Sequence, residues 1–181
     1  KGRGVLCHIT SLPSGDISSG PRFIDWLSKK GFDVWQILPL TPPDRFGSPY
    51  ASPSAFAGWS ELNHEERICD LSQENYWLED WALYSAIKKS QHGLPWYEWP
   101  VELRDRYPEA MATWREHISD HIEDQEQFQS SWNNLKDYAN ANNIRILGDC
   151  PIFVSHDSAD VWAHRELFLL DENGHPEFVA G

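Results

Sequence analysis

Basic residues are scarce in this chain of 181 residues: 15 Lys and Arg stand against 28 Asp and Glu, a formal charge of −13. That average field repels a phosphate backbone, so nucleic acid is not an expected partner. Long apolar runs are missing too. Nothing in the sequence approaches the ~18 consecutive apolar residues of a membrane-spanning helix, and no membrane partner is expected. The opening Lys1-Gly2-Arg3-Gly4 has no apolar signal region and no initiator Met, which fits an internal piece or a processed chain. Cysteine is sparse: Cys7, Cys69 and Cys150 are odd in number and carry no paired metal spacing. A reduced, cytoplasmic setting fits them, and neither a metal nor a cofactor is expected.

Tryptophan is abundant, with 10 copies. Aromatic rings stack on the apolar faces of sugars without needing charge, yet most tryptophans are expected to pack in the core. Gly4 to Ile9 reads as a buried strand, followed by a loop of breakers from Thr10 to Gly15. A helix is predicted to start near Pro21, to bury Phe23, Ile24 and Leu27, and to stop at Gly31. Val34–Leu38 is a second strand closed by Pro39. Strand, helix and strand in so short a span make a βαβ unit and hence parallel strands.

Asp44 to Gly58 is a long loop of Pro, Ser, Gly and aromatic residues, a kind that is commonly functional in a compact domain. Helix is expected at Asn75–Ser90, interrupted at Pro95–Pro100. It resumes from Glu109 to about Asn142, a length that calls for two helices or a break near Asp124. Ile144–Asp149 is a third strand ending in a carboxylate. Leu167–Leu170 and Glu177–Ala180 flank Asp171-Glu172-Asn173-Gly174 as a small hairpin. Three parallel strands cannot close a barrel, and a complete eight-stranded one needs roughly 250 residues. The pattern alone therefore gives α/β, either a small open sheet or a fraction of a larger barrel.

Three segments, in order, carry a resemblance: Gly4-Val5-Leu6-Cys7-His8-Ile9-Thr10-Ser11-Leu12-Pro13-Ser14; then Trp35 to Pro43 with Gly47-Ser48-Pro49-Tyr50-Ala51-Ser52-Pro53-Ser54-Ala55-Phe56-Ala57-Gly58; then Gly148 to Leu170, continuing to Gly181. With Tyr76-Trp77-Leu78-Glu79-Asp80-Trp81-Ala82-Leu83, the sequence resembles the 4-α-glucanotransferases (amylomaltases) of glycoside hydrolase family seventy-seven. The resemblance implies part of a (β/α)8 TIM-type barrel, incomplete here. Residues 1–181 would be a single partial barrel domain, with 59–142 a mainly helical insertion between the second and third strands.

It also implies a retaining transfer of α-1,4-glucan segments between maltooligosaccharides. That chemistry needs two carboxyl groups about 5–5.5 Å apart, one nucleophilic and one protonated. The family motifs for those acids have no counterpart in this sequence and are expected beyond Gly181, so no catalytic residue is assigned and the chain alone is expected to be inactive. By the same resemblance Ser48, Tyr50 and Asp149 are substrate-binding. Asp157 and Trp162 are weaker candidates, with helix capping expected for Asp157 and Asp160 and packing for Trp162. His8 and His156, near strand ends, read as structural hydrogen-bonders, and His117 and His121 share a helix face without a zinc-protease Glu between them.

One departure stands out. The family carries a long helical insertion after the segment matching Ala57-Gly58, where this sequence has only Trp59 to about Asn75. The expected partners are α-1,4-glucans and maltooligosaccharides, together with self-association through an unpaired barrel edge. The setting is cytoplasmic, or a plastid. Three rivals stand beside this reading: a non-catalytic glucan-binding module, an acidic interaction scaffold, and a self-contained hydrolase using Asp149 with Asp157 or Asp160.

Overall fold

A computed structural model describes residues 2–63 and 75–178. Cys69, most of the shortened connection and the last two residues of the expected hairpin, Val179 and Ala180, lie outside the described residues. The first strand, β1 (Gly4–Leu6), leads through two short 3-10 turns to α1 (Gly20–Lys29) and β2 (Val34–Gln36). Pro21 sits in the first turn of α1, where its missing N–H costs nothing. Gly31, at φ +71°, ends the helix. There the Gly31 N–H reaches the Ser28 carbonyl and the Phe32 N–H the Leu27 carbonyl, each at 3.0 Å, so the last carbonyls are satisfied before the chain turns into β2.

A long helical stretch follows: α2 (Leu78–Ser90), α3 (Val101–Arg104), α4 (Pro108–Trp114) and α5 (Ser119–Ala141). The chain then enters β3 (Arg145–Leu147) and ends its regular structure with α6 (Ala159–Ala163). The strands form one parallel sheet in the order β1-β2-β3, with Val5, Trp35 and Ile146 aligned across it. These three side chains face the helix layer and belong to a core with Ile24 and Leu27 of α1 and Phe128, Leu135 and Ala139 of α5. Trp35 is fully buried, and its indole N–H donates to the Cys7 carbonyl at 2.7 Å, which lets a polar group sit inside the core.

Leu6, Gln36 and Leu147 align on the opposite face. Leu6 and Leu147 are 58% and 52% exposed, so the sheet turns an apolar face to solvent. A second core gathers Leu83, Tyr84 and Ile87 of α2, Trp96, Trp99, Leu103, Met111, and Val161 and Trp162 of α6. The helical stretch between β2 and β3 is thus of two kinds. Helix α5 is the crossover packed on the sheet, while α2, α3 and α4 build a separate cluster with α6.

Several local expectations are corrected. Each strand keeps only three ladder residues, because a 3-10 turn begins at Ile9 after β1 and prolines follow β2 and β3 closely. The long amphipathic stretch breaks at a 3-10 turn over Arg115–His117, and Asp124 lies inside a continuous α5. Ile118 is buried at that break and fixes it. Among the described residues the hairpin shows one antiparallel bridge, between Leu170 and Pro176, with the turn held by two N–H groups on the Asp171 carboxylate.

Candidate functional site

The C-terminal ends of parallel strands are where α/β barrels place their chemistry, and two loops converge there. The loop after β2 is shaped from within. Asp44 accepts the N–H groups of Phe46 and Ser48 on one carboxylate oxygen, at 2.9 and 2.8 Å. Gly47 takes φ +81°, a conformation that favours glycine, and closes this turn. Ser48 then caps the 3-10 turn Pro49–Ala51, its hydroxyl accepting the Tyr50 N–H at 3.3 Å. Ser54 repeats the device, accepting from Phe56 and Ala57 at 3.1 Å each.

The turn delivers Tyr50 to the end of β3. Its hydroxyl donates to Oδ2 of Asp149 at 2.8 Å, across 99 residues of sequence. The other Asp149 oxygen accepts the Cys150 N–H at 2.9 Å. Both side chains are exposed. The hydrogen bond to Asp149 pushes the Tyr50 phenol above its ordinary value near 10, with burial and the carboxylate charge adding to it. Tyr50 therefore stays a neutral phenol through the physiological range. The pair offers a ring face, a hydroxyl oxygen with a free lone pair, and carboxylate lone pairs. A neutral polyhydroxyl ligand uses all three.

Ser48 stands next to the pair but spends its hydroxyl on the backbone. Asp157 is committed elsewhere: its carboxylate accepts from the Tyr84 hydroxyl at 2.8 Å, Lys88 at 2.7 Å and the Trp96 N–H at 3.3 Å. It thereby ties the segment after β3 to α2. Burial, with the Asp157 charge next, pushes the Tyr84 phenol far up. Asp157 does not cap α6; Ser158 does, accepting the Val161 N–H at 3.2 Å. Asp160, also expected as a cap, accepts the Ala55 N–H at 2.9 Å.

Trp162 is 1% exposed and donates to the Leu103 carbonyl at 3.0 Å, so it has no free ring face for a sugar. His156 is stacked on Tyr97 at 4.5 Å, its Nε2 2.7 Å from the Gly174 carbonyl, which is the structural use expected of it. Burial lowers the His8 pKa. Beside the Tyr50 loop lies a cleft of about 450 Å³ of mixed polar and apolar lining, with Arg45, Pro53, Lys88, Tyr97, Ser155 and Asp157 among its walls.

Sequence reasoning missed Asp44, which shapes the loop, and the contacts that place it, those of Gln125 and of Asp160 with Ala55. Gln125 is buried on α5 and grips Gly58 twice, accepting its N–H at 2.8 Å and donating to its carbonyl at 2.9 Å. A buried Gln amid a helix's apolar positions was the available signal. The identity of its backbone partner left no trace in the sequence.

A parallel sheet with helices on one face and a tyrosine–carboxylate pair at its C-terminal end defines part of an α/β barrel. The solved amylomaltase from Streptococcus agalactiae in complex with acarbose superposes with a TM-score of 0.86 at 30% identity, over 100% of this chain and 49% of that one. The family model for 4-alpha-glucanotransferase matches residues 7–64 and 60–177. The chain belongs to that family, glycoside hydrolase family 77.

Among its relatives, the 4-alpha-glucanotransferase of Aquifex aeolicus is 35% identical over 235 residues, covering 98% of this chain and 48% of the relative. That of Thermus thermophilus is 37% identical over 238 residues, with the same coverage. The chloroplastic/amyloplastic enzyme of Arabidopsis thaliana is 32% identical and 42% covered. The chain thus spans about half the length of the curated relatives it matches. The alignments are longer than the chain itself, so the relatives carry residues within the span that have no counterpart here. The two matched pieces meet at 60–64, where the connection after Gly58 is short.

Proposed function

We propose that this chain supplies the Tyr50–Asp149 wall of an α-1,4-glucan site in a 4-alpha-glucanotransferase that moves maltooligosaccharide segments by a retaining double displacement. The observation carrying this reading is the Tyr50–Asp149 hydrogen bond at 2.8 Å, exposed at the C-terminal end of the sheet. Asp149 binds and orients a glucose unit and does not attack it. Its rivals for a self-contained dyad, Asp157 and Asp160, are bound to Lys88 with Tyr84 and to the Ala55 N–H. The nucleophile and the acid/base, which must stand about 5–5.5 Å apart, are assigned to the part of the relatives that this chain does not match. Ser48 acts through Tyr50, by holding its backbone.

Incubation of this chain with maltotriose tests the assignment. No glucose and no longer maltooligosaccharides are expected from the chain alone. Products abolished by Asp149→Ala would show a complete site and overturn it. The helical stretch 59–142 is read as an elaboration of the second crossover, with α5 its sheet-packing part. The setting is the cytoplasm or a plastid, in keeping with bacterial and plastid relatives and with the absence, among the described residues, of any helix long and apolar enough to cross a membrane. Self-association at high concentration runs through the unpaired edge of the sheet, aided by its uncovered apolar face. Light scattering tests this: mass that rises with concentration is expected, and an unchanging monomer would refute it.

A further inference from the structure

We propose that Asp160 is a positioning residue for Tyr50, its carboxylate fixing the backbone of the Tyr50 loop against the same segment that carries Asp149. The inference rests on the reading of Tyr50 and Asp149 as a glucan-binding pair.

The loop from Asp44 to Gly58 is shaped by its own side chains, but shape is not placement. Placement comes from bonds to the rest of the fold. At its far end Gln125 holds Gly58, and the Trp59 N–H donates to the Leu40 carbonyl at 2.7 Å. In its middle the loop is gripped by α6. The Ala159 N–H donates to the Pro53 carbonyl at 2.8 Å, and the Asp160 carboxylate accepts the Ala55 N–H at 2.9 Å. These two bonds form one short reciprocal clasp, each segment donating one N–H to the other.

The clasp closes a ring. From β3 the chain passes Asp149, which holds the Tyr50 hydroxyl, and within the same segment reaches Asp160, which holds the backbone five residues after Tyr50. One segment thus grips the loop at its tip and behind it, and the relative position of Tyr50 and Asp149 follows from both grips. The rear grip is rigid. Ser158 caps α6, Val161 and Trp162 are buried, and the Trp162 indole is tied to the Leu103 carbonyl. Binding groups keep their geometry only when such supporting contacts hold them.

A merely structural role predicts something different. Ala55 is exposed, so its N–H would find water if Asp160 were lost, and the fold would barely notice. The consequence of losing the clasp falls instead on where Tyr50 stands. Asp160 also faces Asp80 and His164; burial pushes its carboxyl up, and the Ala55 N–H pulls it part of the way back.

The test compares Asp160→Ala and Asp160→Asn in this chain, labelled with 13C at the tyrosine ring, by NMR titration of the Tyr50 phenol and by calorimetric titration with maltoheptaose. The Tyr50 phenol should titrate above its ordinary value in the unaltered chain and in Asp160→Asn, whose amide oxygen still accepts. It should fall back to the ordinary value in Asp160→Ala. Maltoheptaose binding should weaken at least fivefold in Asp160→Ala, be restored in Asp160→Asn, and show no further loss when Asp160→Ala is added to Tyr50→Phe. An unchanged Tyr50 titration in folded Asp160→Ala overturns the proposal. If the unaltered chain binds no maltoheptaose, the glucan reading falls, and the Tyr50 titration still decides the role of Asp160. Should Asp160→Ala not fold, amide exchange at Ala55 in the unaltered chain decides: slowing of tenfold or more upholds the clasp, and exchange at the free-peptide rate overturns it.

Discussion

Replacing Gln125 by Leu removes both bonds that hold Gly58 while keeping the side chain close to its original size. In the native structure Gln125 is 5% exposed and satisfies the Gly58 N–H at 2.8 Å and the Gly58 carbonyl at 2.9 Å. Gly58 is itself buried, and Phe128 packs so closely that no Cβ fits at that position, so water has no room to replace the amide. Each backbone group left buried and unpaired costs about 1–3 kcal/mol. The added apolar surface of Leu returns about 1–2 kcal/mol. The two groups together cost about 2–6 kcal/mol, so the net loss is centred on about 2.5 kcal/mol. For a domain of this size each kcal/mol moves the melting temperature by about 2–4 °C, so a fall of about 5–10 °C is expected in a thermal melt followed by circular dichroism. Gln125→Glu should also destabilise, because a carboxylate oxygen then faces the Gly58 carbonyl. A Gln125→Leu melt within 2 °C of the unaltered chain would refute the claim that this amide anchors the loop.

Tyr50→Phe removes an exposed hydrogen bond and should leave the melting temperature nearly unchanged, as surface substitutions away from such anchors generally do within about 0.5 kcal/mol. The same change should weaken maltoheptaose binding several-fold, measured by calorimetry. Gly58→Ala should destabilise by about 1–3 kcal/mol, since the new methyl group meets the Phe128 ring, and a urea titration would show it. Asp105 gives a pH dependence of known sign. Hydrogen bonding to Arg104, at 2.9 and 3.0 Å, holds its carboxyl below the ordinary 3.8; burial opposes this and Arg165 adds to it. A depressed carboxyl contributes stability above its unfolded value that is lost as pH falls through its folded one. Asp105→Asn should therefore flatten the acid limb of the stability profile below about pH 4 and leave its neutral side without slope from this group.

Local signals were legible where the chain answers to itself. The βαβ unit followed from apolar runs closed by Pro39 and from Pro21 and Gly31 bracketing α1, and these positions carry out the roles expected of them. Strand lengths were overread, because apolar residues such as Cys7 and Ile9 continue past the ladder into a 3-10 turn. Of the two readings of the long amphipathic stretch, two helices form as α4 and α5, while no break occurs near Asp124, an acid exposed on the outer side of α5. The helices part earlier, where buried Ile118 pins the turn.

The candidate site divides in the same way. Tyr50 and Asp149 could be named separately by resemblance, but their bond spans 99 residues and no spacing rule reports it. Contacts whose partner is backbone, such as Asp160 to Ala55 and Gln125 to Gly58, leave no pattern to read, since any residue supplies an N–H. Trp162 and most other tryptophans pack the core, as composition led one to expect. The abundance of aromatic residues was thus a poor guide to the site.

We propose that Tyr50 and Asp149 form a wall that binds α-1,4-glucan. Calorimetric titration of maltoheptaose into this chain and into folded Asp149→Ala tests this. Saturable binding that falls at least fivefold in the variant is expected. Binding of equal strength in both, or none in the unaltered chain, would contradict it.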